Sequence, residues 1–416
     1  MKSHNDVNIC KGRVAMRLRE RKSYKSLIFY IFGAVGVIAF NIVAWLSSDF
    51  CDWYREHIFP VWLNTFARIT SAVPFSVGEI MLVFAVAITL SGMLFFIVNL
   101  IMRGKFSTAI RRFGKAYAWL VLTVCYIMTF NCFILYHATG FTENYVVNAN
   151  SPETMVVDIS DDAVAQALQT QISGEHNIYT RKNLTILRNY LVEKCNTLSE
   201  QIERDEDGNI VYEKDIIEES VKAMEKMGEK YDQLSGFYVS PKYLSRSGFF
   251  SQQYIMGYYF PFSLEANINS VMYVTNVAPT VCHELAHTKG FMDEKDANLI
   301  GYLACINSDD TFLQYCGYLS VLNYVNNDFY ETIGKDKEVY KKNVRISDCV
   351  ADDNIFLTKE NWQAVEKKAV VKTSTVKKVS ATLMETSLKM NGVEEGMKSY
   401  NEVVSLLIDY YDGVLD

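Results

Sequence analysis

The chain has 416 residues, 50% of them hydrophobic and 13% aromatic, with a net charge of −7. That length accommodates a membrane region plus one substantial globular domain, and the acidic balance offers no basic footprint for nucleic acid. Nine cysteines, an odd number without repeated spacing, do not describe a disulfide framework.

The N-terminal segment, 1–26, is polar and basic, with Lys11, Arg13, Arg17, Arg19, Arg21, Lys22 and Lys25. Three stretches without a formal charge follow, at about 27–46, 80–101 and 116–136. Each has about the 20 apolar residues that a helix needs to cross a hydrocarbon core. A cleaved signal peptide is disfavoured, because the first apolar run is too long and no small-residue cleavage site follows it. The positive-inside rule assigns the N-terminus and the second short loop, with Arg103, Lys105, Arg111, Arg112 and Lys115, to the cytoplasm. The first loop, from about Ser47 to Glu79, then lies outside. The expectation is a multi-pass protein of the cytoplasmic membrane, with a membrane region over 27–138 and an extracytoplasmic domain over 139–416.

Leu184, Leu187, Leu191, Cys195, Leu198 and Ile202 recur at steps of three and four, which predicts a helix with one buried face. Ile217, Val221 and Met224 predict another. Between them, the Asp205–Asn209 run lacks most ligands of a calcium loop and is expected to be a solvated turn. From Ser251 to Asn276 aromatic and β-branched residues cluster around Gly257 and Pro261, predicting one or two short strands. In zinc peptidases, a strand before the metal helix offers its edge to an extended substrate. The fold class expected is mainly α, with a small β element (α+β) and a zincin-like domain.

His283, Glu284 and His287 stand in the order H-E-x-x-H. Helix positions four apart share a face, so both imidazoles can reach one metal ion, with Glu284 beside it as general base. Pro279 suits the first turn of that helix. A catalytic zinc takes a third protein ligand. Asp293 follows at a metzincin-like spacing, and Glu294 opens a gluzincin-like E-x-x-A-(D/N) run. Gly290 suits the end of the metal helix, which makes Asp293 an N-cap with Asp296 in the next helix's first turn. Glu294 is therefore the favoured ligand, with Asp293 or Asp296 as the fallback. Asn298, one turn on, is placed to hold a ligand in position. Cys282 and Cys305 are expected to pack as small hydrophobes. Tyr315, Tyr318 and Tyr400 could donate to an oxyanion by residue type alone and receive no catalytic role. Near the C-terminus the run 391–400 separates two helical patterns, the second with Val403, Leu406 and Leu407 on its apolar face.

The chain resembles an uncharacterised bacterial family, number 3810 among the domains of unknown function. Its members carry three N-terminal spans and an extracytoplasmic H-E-x-x-H domain. The resemblance rests on Val73–Glu79, Phe260–Asn269, the metal-site run through Cys305, and Leu388–Leu406. Where members show E-x-E-A-N, this chain has Glu294, Asp296 and Asn298; the kept first acid favours Glu294. The function expected is a membrane-anchored, zinc-dependent metallopeptidase that hydrolyses extracytoplasmic peptides or envelope proteins. The alternative is a non-catalytic envelope binding or scaffolding protein with, at most, a structural zinc.

Overall fold

The computed structural model describes residues 26–146, 153–157, 176–390, 402–411 and 415. The basic tail, Tyr400 and the connecting run 391–400 lie outside the described residues.

Among the described residues, three helices are long and apolar enough to cross a membrane. The first, α1, is Ser26–Leu46. The second crossing is Val77–Ile101, labelled α3 below. The third, α4, runs from Ser107 to Met128 and continues through a π-turn at Thr129–Phe133 into Ile134–Tyr136. Large apolar side chains such as Phe32, Phe84 and Leu94 stand exposed on α1 and α3. A helix that is hydrophobic all round is stable when its surroundings are apolar, so this is a membrane protein.

Two span boundaries differ from expectation. The second begins at Val77 rather than 80, because the Ser76 hydroxyl accepts from the Glu79 N–H at 3.1 Å and caps the helix there. The third begins at Ser107 rather than 116, so exposed Arg111, Arg112 and Lys115 ride on its first turns. Hydropathy marks where lipid can solvate side chains, whereas the backbone ladder continues into polar surroundings. The segment expected to be a loop between the first two spans is largely helix. This helix, α2, covers 48–71, includes two π-turns and is capped by Ser47.

Beyond the spans come α5 (Phe141–Tyr145), a parallel pair β1 (Glu153–Val157) and β2 (His176–Thr180), α6 (Arg181–Ser199) and α7 (Ile216–Lys230). A second sheet holds β3 (Lys242–Leu244), β4 (Gly257–Phe260) and β5 (Glu265–Asn269), with α8 (Ser247–Ser251) after β3. Its order is β3-β5-β4; β3 runs parallel to β5 and β4 antiparallel. Helices α9 (Val277–Thr288), α10 (Glu294–Ile306) and α11 (Thr311–Thr332) follow. Further helices continue after them, among them Thr373–Met390, and α12 (Glu402–Tyr411) is the last described helix. The architecture is mainly α with a small sheet, as expected.

Leu184, Leu187, Leu191 and Cys195 are buried, as the three-four spacing requires; Met224 is buried, and Ile217 and Val221 pack against the core less completely. Asp205 accepts from the Asp207 and Asn209 N–H groups in an exposed turn. Val403, Leu406 and Leu407 join the core. That core crosses the 138/139 line, since Tyr54, Phe59, Leu63 and Ala67 of α2 and Ile134 and Leu135 of α4 belong to it.

Polar contacts tie the spans to the sheet. The Glu265 carboxylate is buried and accepts from the Val77 and Gly78 N–H groups at 3.1 and 2.8 Å, so β5 caps the second span. Buried Lys242 pairs with the same carboxylate and donates to the Thr70 carbonyl. A negative group at a helix N-terminus satisfies orphan donors and opposes the positive end of the helix dipole.

Candidate metal site

Helix α9 is buried nearly all round: ten of its twelve residues are in the interior. Pro279 sits in the first turn, where a missing N–H leaves no helical bond unmade. At the other end the Gly290 N–H bonds the His287 carbonyl and the Phe291 N–H bonds the Ala286 carbonyl. This double closure needs a left-handed residue, and Gly290 supplies it at φ +90°. The chain reverses, the Asp293 carboxylate caps α10 by accepting from the Lys295 N–H at 3.0 Å, and Glu294 becomes the first residue of α10. Two tightly stopped helices thus face each other, and Cys282 and Cys305 pack between them with sulfurs 4.0 Å apart.

Their facing sides bring His283, His287 and Glu294 together: one ligand atom from each lies within 4.8 Å of the others. Glu294 Oε2 is 3.2 Å from His283 Nε2, and Glu294 Oε1 is 3.9 Å from His287 Nε2. Both imidazoles are held from behind. The His287 Nδ1–H donates to the Phe291 carbonyl at 2.7 Å, and His283 Nδ1 lies 3.0 Å from Asn298 Oδ1. With a metal bound and Nδ1 carrying the proton, each Nε2 would present a lone pair to the shared space. Two neutral imidazoles and a carboxylate are a donor set that suits zinc, so the residues fit the metal.

The two fallback ligands have other work. Asp293 is the cap already described. Asp296 is buried, and its carboxylate accepts from the Phe141 N–H, the Thr142 N–H and the Thr142 hydroxyl, anchoring the start of α5. An Asp side chain is short, and its position on α10 turns it away from the histidines and towards the span-proximal chain.

Glu284 is buried on the same helix, and one of its carboxylate oxygens has no hydrogen-bond partner. The Tyr259 N–H of β4 is turned towards the carboxylate and favours its charged form. Gly257 leaves room for it: a Cβ there would stand 2.4 Å from Glu284 Oε1. Neither contact was foreseen from the sequence, although the strand-like G-Y-Y-F run before the helix was the available signal. Burial raises the Glu284 carboxyl to about 8; the charge of His283 opposes the rise, and that of Glu294 adds to it. Burial alone would lower His283, but the Glu294 carboxylate, with help from Glu284, raises it to about 9. Burial, then the nearby His283 charge, pushes His287 down to about 4.

The tyrosines named from the sequence are elsewhere. Tyr315 donates to Asp353 at 2.7 Å in the core, and Tyr318 packs edge-on against Tyr190. The ring of Tyr259 lies 6.1 Å from that of His287, and burial, then the Glu294 charge, raises the Tyr324 phenol.

No curated protein and no solved structure matches the chain. A family model covers residues 54–408, and by that match the chain belongs to the family described as "Protein of unknown function (DUF3810)".

Proposed function

We propose that this protein is a membrane-anchored zinc metallopeptidase that cleaves peptides or envelope proteins outside the cytoplasm. The observation that carries the reading is the convergence of His283, His287 and Glu294 within 4.8 Å, with a buried, half-satisfied Glu284 beside them. A structural metal site has no use for such a carboxylate, whereas hydrolysis needs one. Zinc, when bound, supplies Lewis acidity to a substrate carbonyl and makes water more acidic. His283, His287 and Glu294 would hold it, and Asn298 and the Phe291 carbonyl would fix the two ring orientations. Glu284 takes a proton from the attacking water and returns it to the leaving amine. Desolvation makes its carboxylate a stronger base, which suits a group that takes a proton in one step and returns it in the next. The arginine and lysine distribution supports an N-terminus inside and a site outside.

Zinc content of the purified full-length protein tests the metal, and hydrolysis of a mixed peptide pool tests the chemistry. Near-stoichiometric zinc, lost in Glu294→Ala, is expected. Glu284→Gln should keep the zinc and lose about 10²- to 10⁴-fold in hydrolysis, the range for a general acid–base group. A folded, unaltered protein that takes up no zinc would sink the reading in favour of an envelope binding or scaffolding role.

A further inference from the structure

The site stands at the mouth of the membrane spans, and this bears on what reaches it. Four contacts make the connection. The Leu135 side chain, in the last turn of α4, lies 3.3 Å from where a Gly290 Cβ would be, at the end of the metal helix. The Phe260 ring, at the end of β4, lies against Gly78 in the first turn of α3. The Tyr259 hydroxyl donates to the Asn131 carbonyl at 3.1 Å, and the Asn131 amide donates to the Pro261 carbonyl at 2.8 Å.

Strand β4 therefore runs from the Glu284 carboxylate to the start of a membrane helix. Gly257 to Phe260 spans about 10 Å at strand rise. Among the described residues β4 pairs with β5 on one side and has no strand on the other. Glu284 lies beside that strand, with its Oε1 2.4 Å from where a Gly257 Cβ would be and the Tyr259 N–H turned towards it. Around the strand, Met256 is 38%, Tyr258 44% and Phe249 54% exposed, and the Phe250 and Tyr258 rings are 6.5 Å apart. An open edge offers main-chain pairing that tolerates any sequence, and exposed aromatic rings suit apolar side chains.

We propose that the substrate is a membrane-anchored polypeptide, bound in extended form along the open edge of β4 and cut just where it leaves its own span. The proposal rests on the peptidase reading above and adds the substrate class. The strand supplies about 10 Å and the start of α3, before its apolar run at Ile80, about another 5 Å, so an extended chain places the cut about four to five residues from the bilayer. A peptide free in solution can reach the same edge but gains nothing from the bilayer.

The test uses the full-length, zinc-loaded protein in liposomes with a reporter whose unstructured segment has randomised sequence. One form of the reporter follows a single apolar span; the other is soluble. Cut positions are mapped by mass spectrometry. In parallel, a photo-reactive amino acid replacing Tyr258 in Glu284→Gln protein captures what lies on the strand without turnover. Cuts and cross-links clustered near the span, with the soluble form largely spared, are the expected result. Cuts spread along the anchored segment, or equal cutting of the soluble form, would overturn the proposal and leave the peptidase intact. Tethering raises local concentration without fixing a position, so the map separates the two. No cutting of either form beyond that of Glu284→Gln would overturn the proposal together with the reading beneath it.

Discussion

Asn298 is the residue by which the proposed metal site would depend on a group that does not touch the metal. Its side-chain oxygen, 3.0 Å from His283 Nδ1, decides which ring nitrogen carries the proton. Such supporting groups are typically worth 10- to 100-fold in metal affinity. Asn298→Ala should weaken zinc binding by about that factor in competition titrations, whereas Asn298→Asp, which keeps the acceptor, should restore it. The histidines also make the metal-free protein sensitive to pH. His283 rises from 6.5 to about 9 on folding, so its stabilisation is full below pH 6.5 and is lost as pH climbs to 9. Glu284, raised from 4.5 to about 8, binds its proton more tightly in the folded state and acts in the same direction up to pH 8. His287, lowered to about 4, contributes an opposite trend that ends near pH 6.5. Metal-free protein should therefore melt at a lower temperature at pH 9 than at pH 6.5. Zinc should release about one proton at neutral pH, mainly from His283, and stabilise more at pH 9. Calorimetry in buffers of different ionisation enthalpy reads the proton directly; no proton release would contradict the assignment.

At the scale of elements, the buried pair of Lys242 and Glu265 holds the second span to the sheet. Lys242 reaches the Thr70 carbonyl, and Glu265 takes the Val77 and Gly78 N–H groups and the Ser263 hydroxyl. Breaking a buried pair by removing one partner costs about 3–5 kcal/mol, because the other charge is left uncompensated. Glu265→Ala should approach that figure in thermal unfolding and also strip two donors at the start of α3. Lys242→Met with Glu265→Gln should recover part of the loss, since neither charge then remains buried. If Glu265→Ala melts as the unaltered protein does, the capping role is wrong.

At the scale of the whole molecule, the spans share the domain's core. Tyr54, Phe59, Leu63, Ala67, Ile134 and Leu135 are buried with residues as distant as Val403 and Leu407. Buried side chains of the larger kinds contribute about 1.5–3 kcal/mol each, so losing several rivals a typical total stability of about 5–15 kcal/mol. A fragment from 139 to 416 should lack a cooperative melting transition and aggregate on size exclusion, whereas a chain retaining α2 and α4 in detergent should not. A soluble, cooperatively folded fragment would show that the shared core is dispensable.

Much was fixed locally and so could be read from residues alone. The H-E-x-x-H spacing, Gly290 as helix stop, Asp293 as cap and Glu294 as facing acid all depend on helical period and end chemistry within a dozen neighbours. Three apolar runs announced three membrane helices because bilayer thickness sets their length, although the backbone outran the hydropathy at two ends. The family resemblance carried by Val73–Glu79 and Phe260–Asn269 likewise needed no coordinates, but the meeting of those stretches did. Glu265 finds the α3 N-terminus 187 residues away, Asp296 caps α5 rather than approaching the histidines, and Tyr259 brings its N–H to Glu284. Each is a polar group buried by packing between distant segments, and it takes whichever donor the fold delivers. Sequence determined the parts of the site and the number of crossings; tertiary packing decided that the site stands where the spans end, because there the buried Glu265 and Asp296 carboxylates come within hydrogen-bond reach of helix donors far away in the chain.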